Sequence, residues 1–188
     1  MRIISDAYQH LGNKLLTEIL GELDRPAFHW CDMWYEQTEF PEIAEGIDYP
    51  AVFLDFASEN ITTAGELLQN VGLLTNVYVA VENLQDTHIG SPEREGALHY
   101  FELLARVHEM LQAYDHPSCG NLNRIAFVPM STRTNVIVYR LTYASQVMDT
   151  SVNEVRRVKE EATPGAIEPG TKNDPPSPKI STTPVFDI

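Results

Sequence analysis

Ten consecutive residues, Leu73 to Glu82, alternate with a period of two: Leu73, Thr75, Val77, Val79 and Val81 share one side, and Leu74, Asn76, Tyr78, Ala80 and Glu82 the other. Only an extended strand gathers such a pattern into two stripes, because a helix would scatter the same residues around its circumference. The fold must therefore be built on a sheet. Upstream, Glu66 to Val71 reads as a shorter strand, with Gly72 as the break between them, so residues 65 to 83 read as a hairpin or meander.

The other elements group around this run. Ile4, Tyr8, Leu11, Leu15, Ile19 and Leu23 recur every three or four residues and predict an amphipathic first helix over 3–23, closed by Asp24-Arg25-Pro26. FHWCDMWYE (28–36) reads as a strand with Phe28, Trp30 and Trp34 on one side, although Asp32 interrupts the alternation. An acidic loop to Tyr49 precedes YPAVFLDF, whose near-continuous apolar run fits a strand covered on both faces and starting at Pro50. Ser91-Pro92-Glu93 offers a hydroxyl cap, a first-turn proline and a first-turn acid, predicting a second helix to about Tyr114. NRIAFVPM and residues 135–147 then predict a hairpin turning at Ser131 to Thr134, with Ile137, Tyr139, Leu141 and Tyr143 on one face. Strands grouped around one long helix, with no βαβ rhythm, indicate an α+β domain over 1–150: a largely antiparallel sheet packed on one face by two main helices. Beyond it, over 151–188, six of the twelve prolines lie among Gly, Ser, Thr and Lys and indicate an extended arm.

Charge narrows the function. The net charge of -14 argues against a surface that grips phosphates. Between Arg25 and Arg94 there is no Lys or Arg, yet twelve Asp or Glu occur. One side of the molecule should be strongly anionic, to keep the protein soluble, to meet a basic partner, or to line a passage along which DNA slides without sticking. No apolar run reaches the length of a bilayer span, and no basic segment leads into an apolar one at the amino terminus, so a cytosolic, non-membrane protein is expected. Cys31 and Cys119 suggest reduced thiols, not a disulfide framework.

Catalytic signatures are missing: there is no phosphate-binding glycine pattern, HExxH, GxSxG or paired CxxC. His29 with Cys31 and His116 with Cys119 lack a zinc-site spacing. Glu95 with His99 and Glu102 with Arg106 read as a solvated helix face, His108 as a hydrogen-bonded core or interface residue, and Trp30 and Trp34 as core or interface anchors. Asp48 and Asp55 flank a strand without further oxygen donors for a metal. No catalysis, metal or cofactor is expected.

The first helix, the strand YPAVFLDF, the strand LLTNVYVAVENL, the capped helix SPEREGALHYFELLARVHEMLQAY and the final TNVIVYRLTYASQVMDTS, which carries Arg140, Tyr143 and Asp149, together resemble the tail terminator and head-tail joining (neck ring) proteins of tailed bacteriophages. The similarity covers about residues 1–150 and rests on element order and texture. It implies a structural virion protein, assembled in the host cytoplasm, in a homo-oligomeric ring of six or twelve copies at the head-tail junction or tail end. Such a ring joins portal or connector to tail and leaves a channel for DNA without sequence-specific binding. The long acidic loop and the proline-rich arm depart from the smaller members of that family. The alternative is an intracellular acidic adaptor that binds a basic protein.

Three surfaces are expected to serve the ring. Tyr100, Phe101, Leu104 and Val107 belong to a helix with a narrow polar strip, so its apolar face should be shared between the subunit's own sheet and a helix or subunit contact. Glu36, Glu39, Glu42, Glu45, Asp48, Glu59 and Glu66 should face the channel or a basic rim of the next ring. The arm's last residues, with Val185, Phe186 and Ile188, should anchor on a neighbour, since thirty residues at about 3.1 Å each reach on the order of 90 Å.

Overall fold

A computed structural model describes residues 2–18, 25–82 and 87–152. Ile19 and Leu23 of the first helical stripe, and all of the arm beyond Val152, including Val185, Phe186 and Ile188, lie outside the described residues. The elements are α1 (Arg2–Glu18), β1 (Trp30–Met33), α2 (Pro41–Ala44), β2 (Ala51–Gly65), β3 (Leu68–Glu82), α3 (Arg94–Ala97), α4 (Tyr100–Leu111), β4 (Asp115–His116), β5 (Gly120–Asn121), β6 (Asn123–Met130) and β7 (Val136–Asp149).

Five strands form one sheet in the order β1-β2-β3-β7-β6, while β4 and β5 make a separate two-stranded ribbon. Only the β1–β2 pair is parallel; the others are antiparallel, giving the expected α+β fold with a largely antiparallel sheet. The period-two pattern dictates the layers. Val77 and Val79 of β3, with Val52, Leu54, Leu141 and Tyr143, point to the side carrying α1 and α4 and join Leu11, Leu15, Leu103, Leu104, Val107 and Leu111 in the main core. Tyr78 and Ala80, with Ala51, Phe53, Val136 and Val138, point the other way and form a second, smaller core. Burial of a Leu or Val in either layer stabilises the fold by about 1.5–3 kcal/mol relative to exposure.

The chain between β1 and β2 covers that second face. Trp34 stacks on Tyr78 at 4.2 Å between ring centroids and meets Phe53 edge-on at 5.7 Å, while Ile47 and Tyr49 pack beside it. The acidic stretch is therefore a structured cover, with a 3-10 turn at Gln37–Glu39 and the short α2, and not an open loop. Gln37 pins its start by accepting from the Tyr35 amide at 2.6 Å and donating to the Met33 carbonyl at 2.8 Å. Thr134, in the β6–β7 turn, donates to the Thr38 carbonyl at 2.9 Å.

Other departures from the sequence reading have local causes. Gly72 does not break the chain; β3 runs through it, and a Cβ there would lie 2.5 Å from the Glu59 carbonyl oxygen. The residue is small because β2 approaches closely beside a bulge at Glu59/Thr62. β2 also continues to Gly65, through polar residues that an apolar-run criterion overlooks. Phe28 and Trp34 do not share a side: Phe28 enters the main core and Trp34 covers the opposite face. The helix expected over 91–114 is two segments, interrupted at Leu98 and His99, although Ser91 Oγ does accept from the Glu93 amide at 3.2 Å. It ends at Leu111 because Gln112 turns extended and Ala113 takes φ 59°, which swings Tyr114 toward α1.

Candidate interaction surfaces

The acidic residues follow from the cover's own geometry. Ala44, Gln37 and Thr38 are buried against the sheet, so Glu36, Glu42, Glu45 and Asp48 are turned to solvent and Glu39 is half-buried. Glu36 sits in a left-handed conformation (φ 60°) that starts the 3-10 turn. Asp48 lies 3.2 Å from His29 Nδ1, both exposed. Glu59 and Glu66 are exposed on β2 and in the β2–β3 turn, well along the hairpin from the cover. The seven acids therefore form two groups on one half of the sheet, not one patch.

Around the cover, Pro41, Ala44, Glu45, Tyr49, Glu82 and Arg133 help to line a cleft of about 270 Å³. Burial, with Glu82 nearby, pushes the Tyr49 hydroxyl up to about 12, and its oxygen has no hydrogen-bond partner among the described residues. A neutral phenol beside Glu82 leaves the charge of this lining to Glu45, Glu82 and Arg133.

The apolar face of α4 is shared between the sheet and α1, and Phe101 stands outside that contact. Tyr100, Leu104 and Val107 are buried within the chain, against the sheet and in one cluster with Ala7, Leu11 and Leu15 of α1. Burial, then contact with Tyr139, pushes the Tyr100 hydroxyl up to about 12. Phe101 alone of the four is exposed, at 43%. It leans on Tyr139 at 5.9 Å, and Tyr139 stacks on Phe127 of β6 at 5.1 Å, so an aromatic ridge runs from α4 to the β6 edge. Ile125, 60% exposed, continues it. The apolar composition of NRIAFVPM points to a strand, but nothing in it announces that six of its eight residues are exposed.

A groove of about 490 Å³ lies between α1, the 116–118 loop and residues 148–151. In it the His10 and His116 rings stack at 3.6 Å, and His10 Nε2 lies 2.7 Å from the Tyr114 hydroxyl. Lys14 sits over the Tyr114 ring at 4.4 Å and pairs with Glu18. His10 is held below its ordinary pKa by burial first and by His116 and Lys14 next. Ser118 Oγ is 2.8 Å from His116 Nδ1, but the Ser118 amide donates to that same nitrogen at 3.3 Å. That is the geometry of a side-chain-closed turn. Local pattern carries no sign that His10 and His116, 106 residues apart, meet.

The remaining titratable candidates resolve individually. His116 stacks on His10 while His29 faces Asp48, so the two His/Cys pairs have separate partners. Burial pushes the Cys31 thiol up to about 12 and Cys119 up to about 11, which suppresses thiolate formation. No group of three or more His, Cys, Asp or Glu with metal-holding geometry occurs among the described residues. Asp55 accepts from Asn76 Nδ2 at 3.1 Å, whereas Asp48 faces His29. His99 pairs with Glu102 at 3.1 Å on the exposed face of α4, as a solvated strip would. His108 differs from expectation: its Nδ1 is buried and has no hydrogen-bond partner among the described residues, and burial, then Arg124, lowers its pKa. Trp30 is 39% exposed on the edge strand. Among the described residues no helix is long and apolar enough to cross a membrane.

The sequence matches no protein-family model and no curated protein at a significant level.

Proposed function

We propose that the protein is a non-catalytic ring subunit of a tailed-phage neck or tail, present in six or twelve copies, which joins connector to tail around a channel for DNA. The observation that carries this reading is the combination of one largely antiparallel sheet, two helices on one face, and an acidic cover from which Glu36, Glu42, Glu45 and Asp48 project, with no Lys or Arg between Arg25 and Arg94. Phosphates passing such a surface are repelled, so DNA neither binds nor stalls. Phe101 and the ridge beside it supply apolar area for a subunit contact, and the arm from Lys159 to Ile188 supplies reach toward a neighbour through its terminal Val185, Phe186 and Ile188.

Replacement of Glu36, Glu42, Glu45 and Asp48 together by Lys tests the channel-facing assignment. These side chains are exposed, so the fold should persist while particle assembly is blocked or DNA ejection slows. Unchanged particle yield and infectivity would refute the assignment. Capture of a basic protein by the isolated chain, abolished by the same replacement and without any ring, would favour the adaptor reading.

A further inference from the structure

The aromatic ridge stands open on the helix-bearing side of the sheet. Phe127 pairs with Leu141 and Arg124 with Tyr143, so both lie on the main-core face of the sheet, where Phe101 and Tyr139 continue the ridge. Beside it a depression of about 420 Å³ is lined by Tyr100, Pro129, Ile137 and Tyr139 among others, and no charged residue lines it. Phe101, Phe127 and Ile125 are 43%, 45% and 60% exposed. For side chains of about 150–250 Å² that amounts to on the order of 300 Å² of apolar surface. Each partner of a stable protein pair contributes ~800 Å², so the ridge suits a short apolar segment better than a second folded copy.

The chain carries such a segment. Beyond residue 152 its only aromatic residue is Phe186, set in Val185-Phe186-Asp187-Ile188. In an extended backbone Phe186 and Ile188 fall on one side and Asp187 on the other. Residues 116–148 contain no Asp or Glu, and Arg124 is exposed near the ridge, so Asp187 meets an opposite charge and no acid on β6. The tether has the right length. Asp149 follows Tyr139 by ten residues of β7, which puts the ridge about 33 Å from the end of the strand. A coil as long as residues 153–185 has an r.m.s. span of about 30–35 Å. Effective concentration peaks, in the millimolar range, when the tether's r.m.s. length matches the span. At protein concentrations well below ~1 mM the chain's own segment therefore outcompetes that of another copy.

We propose that residues 185–188 dock on the aromatic ridge of their own chain, Phe186 entering the depression beside Tyr139 and Pro129, Ile188 covering Phe127, and Asp187 meeting Arg124. The contact covers the ridge in a free copy, so an apolar surface that would otherwise promote association is exposed only when the segment is displaced. It does not rest on the ring reading, since an adaptor that never forms a ring would carry it equally.

The test uses the full chain carrying a nitroxide at Ser181→Cys, with thermal melts checking the fold. Burial holds the Cys31 and Cys119 thiols up, so the introduced cysteine is the reactive one. In dilute, isotope-labelled protein the amide signals of residues 99–103, 125–129 and 137–140 are expected to broaden, and those of residues 57–66 are not. Phe186→Asp should remove the broadening; Arg124→Glu should weaken it, and Asp187→Arg added to Arg124→Glu should restore it. As a second readout, a peptide of residues 180–188 should bind the Phe186→Asp chain roughly tenfold or more tighter than the wild type, whose ridge is already occupied. Broadening that arises only when nitroxide-bearing chain is mixed with isotope-labelled chain free of nitroxide would give the contact to another copy and overturn the proposal. Absence of broadening, broadening confined to other residues, or broadening that survives Phe186→Asp would overturn it as well. None of these results decides whether copies form a ring through other surfaces.

Discussion

Gly72→Ala separates a continuous β3 from a chain broken at that position. In the folded chain Gly72 is paired with Glu59 across the β2–β3 ladder and with Gln146 across the β3–β7 ladder. A methyl group there would lie 2.5 Å from the Glu59 carbonyl oxygen and 3.3 Å from its carbon. Ordinary contact begins near 3.4 Å, so the strands must part by 3.4 − 2.5 = 0.9 Å, about a fifth of the ~4.8 Å interstrand spacing. The atom met is backbone, which cannot rotate aside. Overpacking of this kind costs about 1–3 kcal/mol, and one or two stretched ladder hydrogen bonds add about 1 kcal/mol each. Replacing glycine returns about 0.5–1 kcal/mol through the unfolded chain. The net expectation is a destabilisation of about 1–4.5 kcal/mol, a fall in Tm of roughly 2 to 18 °C for a chain of this size. Thermal denaturation followed by circular dichroism reads the shift, and amide exchange should accelerate in residues 55–65 and 68–75. An unchanged or raised Tm would show that the chain is punctuated at Gly72 and that the hairpin is shorter than described.

Three further outcomes follow from other contacts. Trp34→Ala removes the stack on Tyr78 and the edge contact to Phe53, so it should cost about 2–4 kcal/mol and release the acidic cover to proteolysis, and a cover that stays resistant would mean Trp34 is not its anchor. Tyr143→Phe should be neutral or stabilise by about 1 kcal/mol, because the ring is fully buried and its hydroxyl has no hydrogen-bond partner among the described residues; a loss above about 1 kcal/mol in the chemical-denaturation midpoint would reveal a partner for that hydroxyl. His10 has a folded pKa below its unfolded value, so protonation favours the unfolded chain: its contribution is intact above about pH 6.5 and is lost progressively as pH falls through that value. His10→Gln should flatten the Tm profile between about pH 7 and 5, and an unaltered slope would assign that titration elsewhere, for instance to His108, whose pKa is lowered as well.

Legibility followed periodicity. Leu73 to Glu82 announced their two faces because each face is apolar, and the β6–β7 hairpin was equally plain from its turn and alternation. Residues 57–65 carry no strand signal because Ser58, Glu59, Asn60, Thr62 and Thr63 are exposed: pairing with β3 holds them, and no hydrophobic stripe records it. The parallel β1–β2 pair and the stacked His10–His116 rings are contacts between distant segments, which local pattern cannot encode. For the expected surfaces, the acids were legible as solvent-facing because charge seldom buries. The α4 stripe was legible as apolar, but its division into a buried Tyr100, Leu104 and Val107 and an exposed Phe101 depends on where α1 lies.

The central claim, that this chain is a ring subunit, is tested most directly by native mass spectrometry of the full-length protein, alone and co-expressed with the products of its neighbouring genes, together with class averages from electron microscopy. The account predicts a closed species of six or twelve copies with an axial opening, whose lumen loses its negative character when Glu36, Glu42, Glu45 and Asp48 are replaced by Lys. A chain that remains a monomer or a two-fold dimer under every one of those conditions would contradict it.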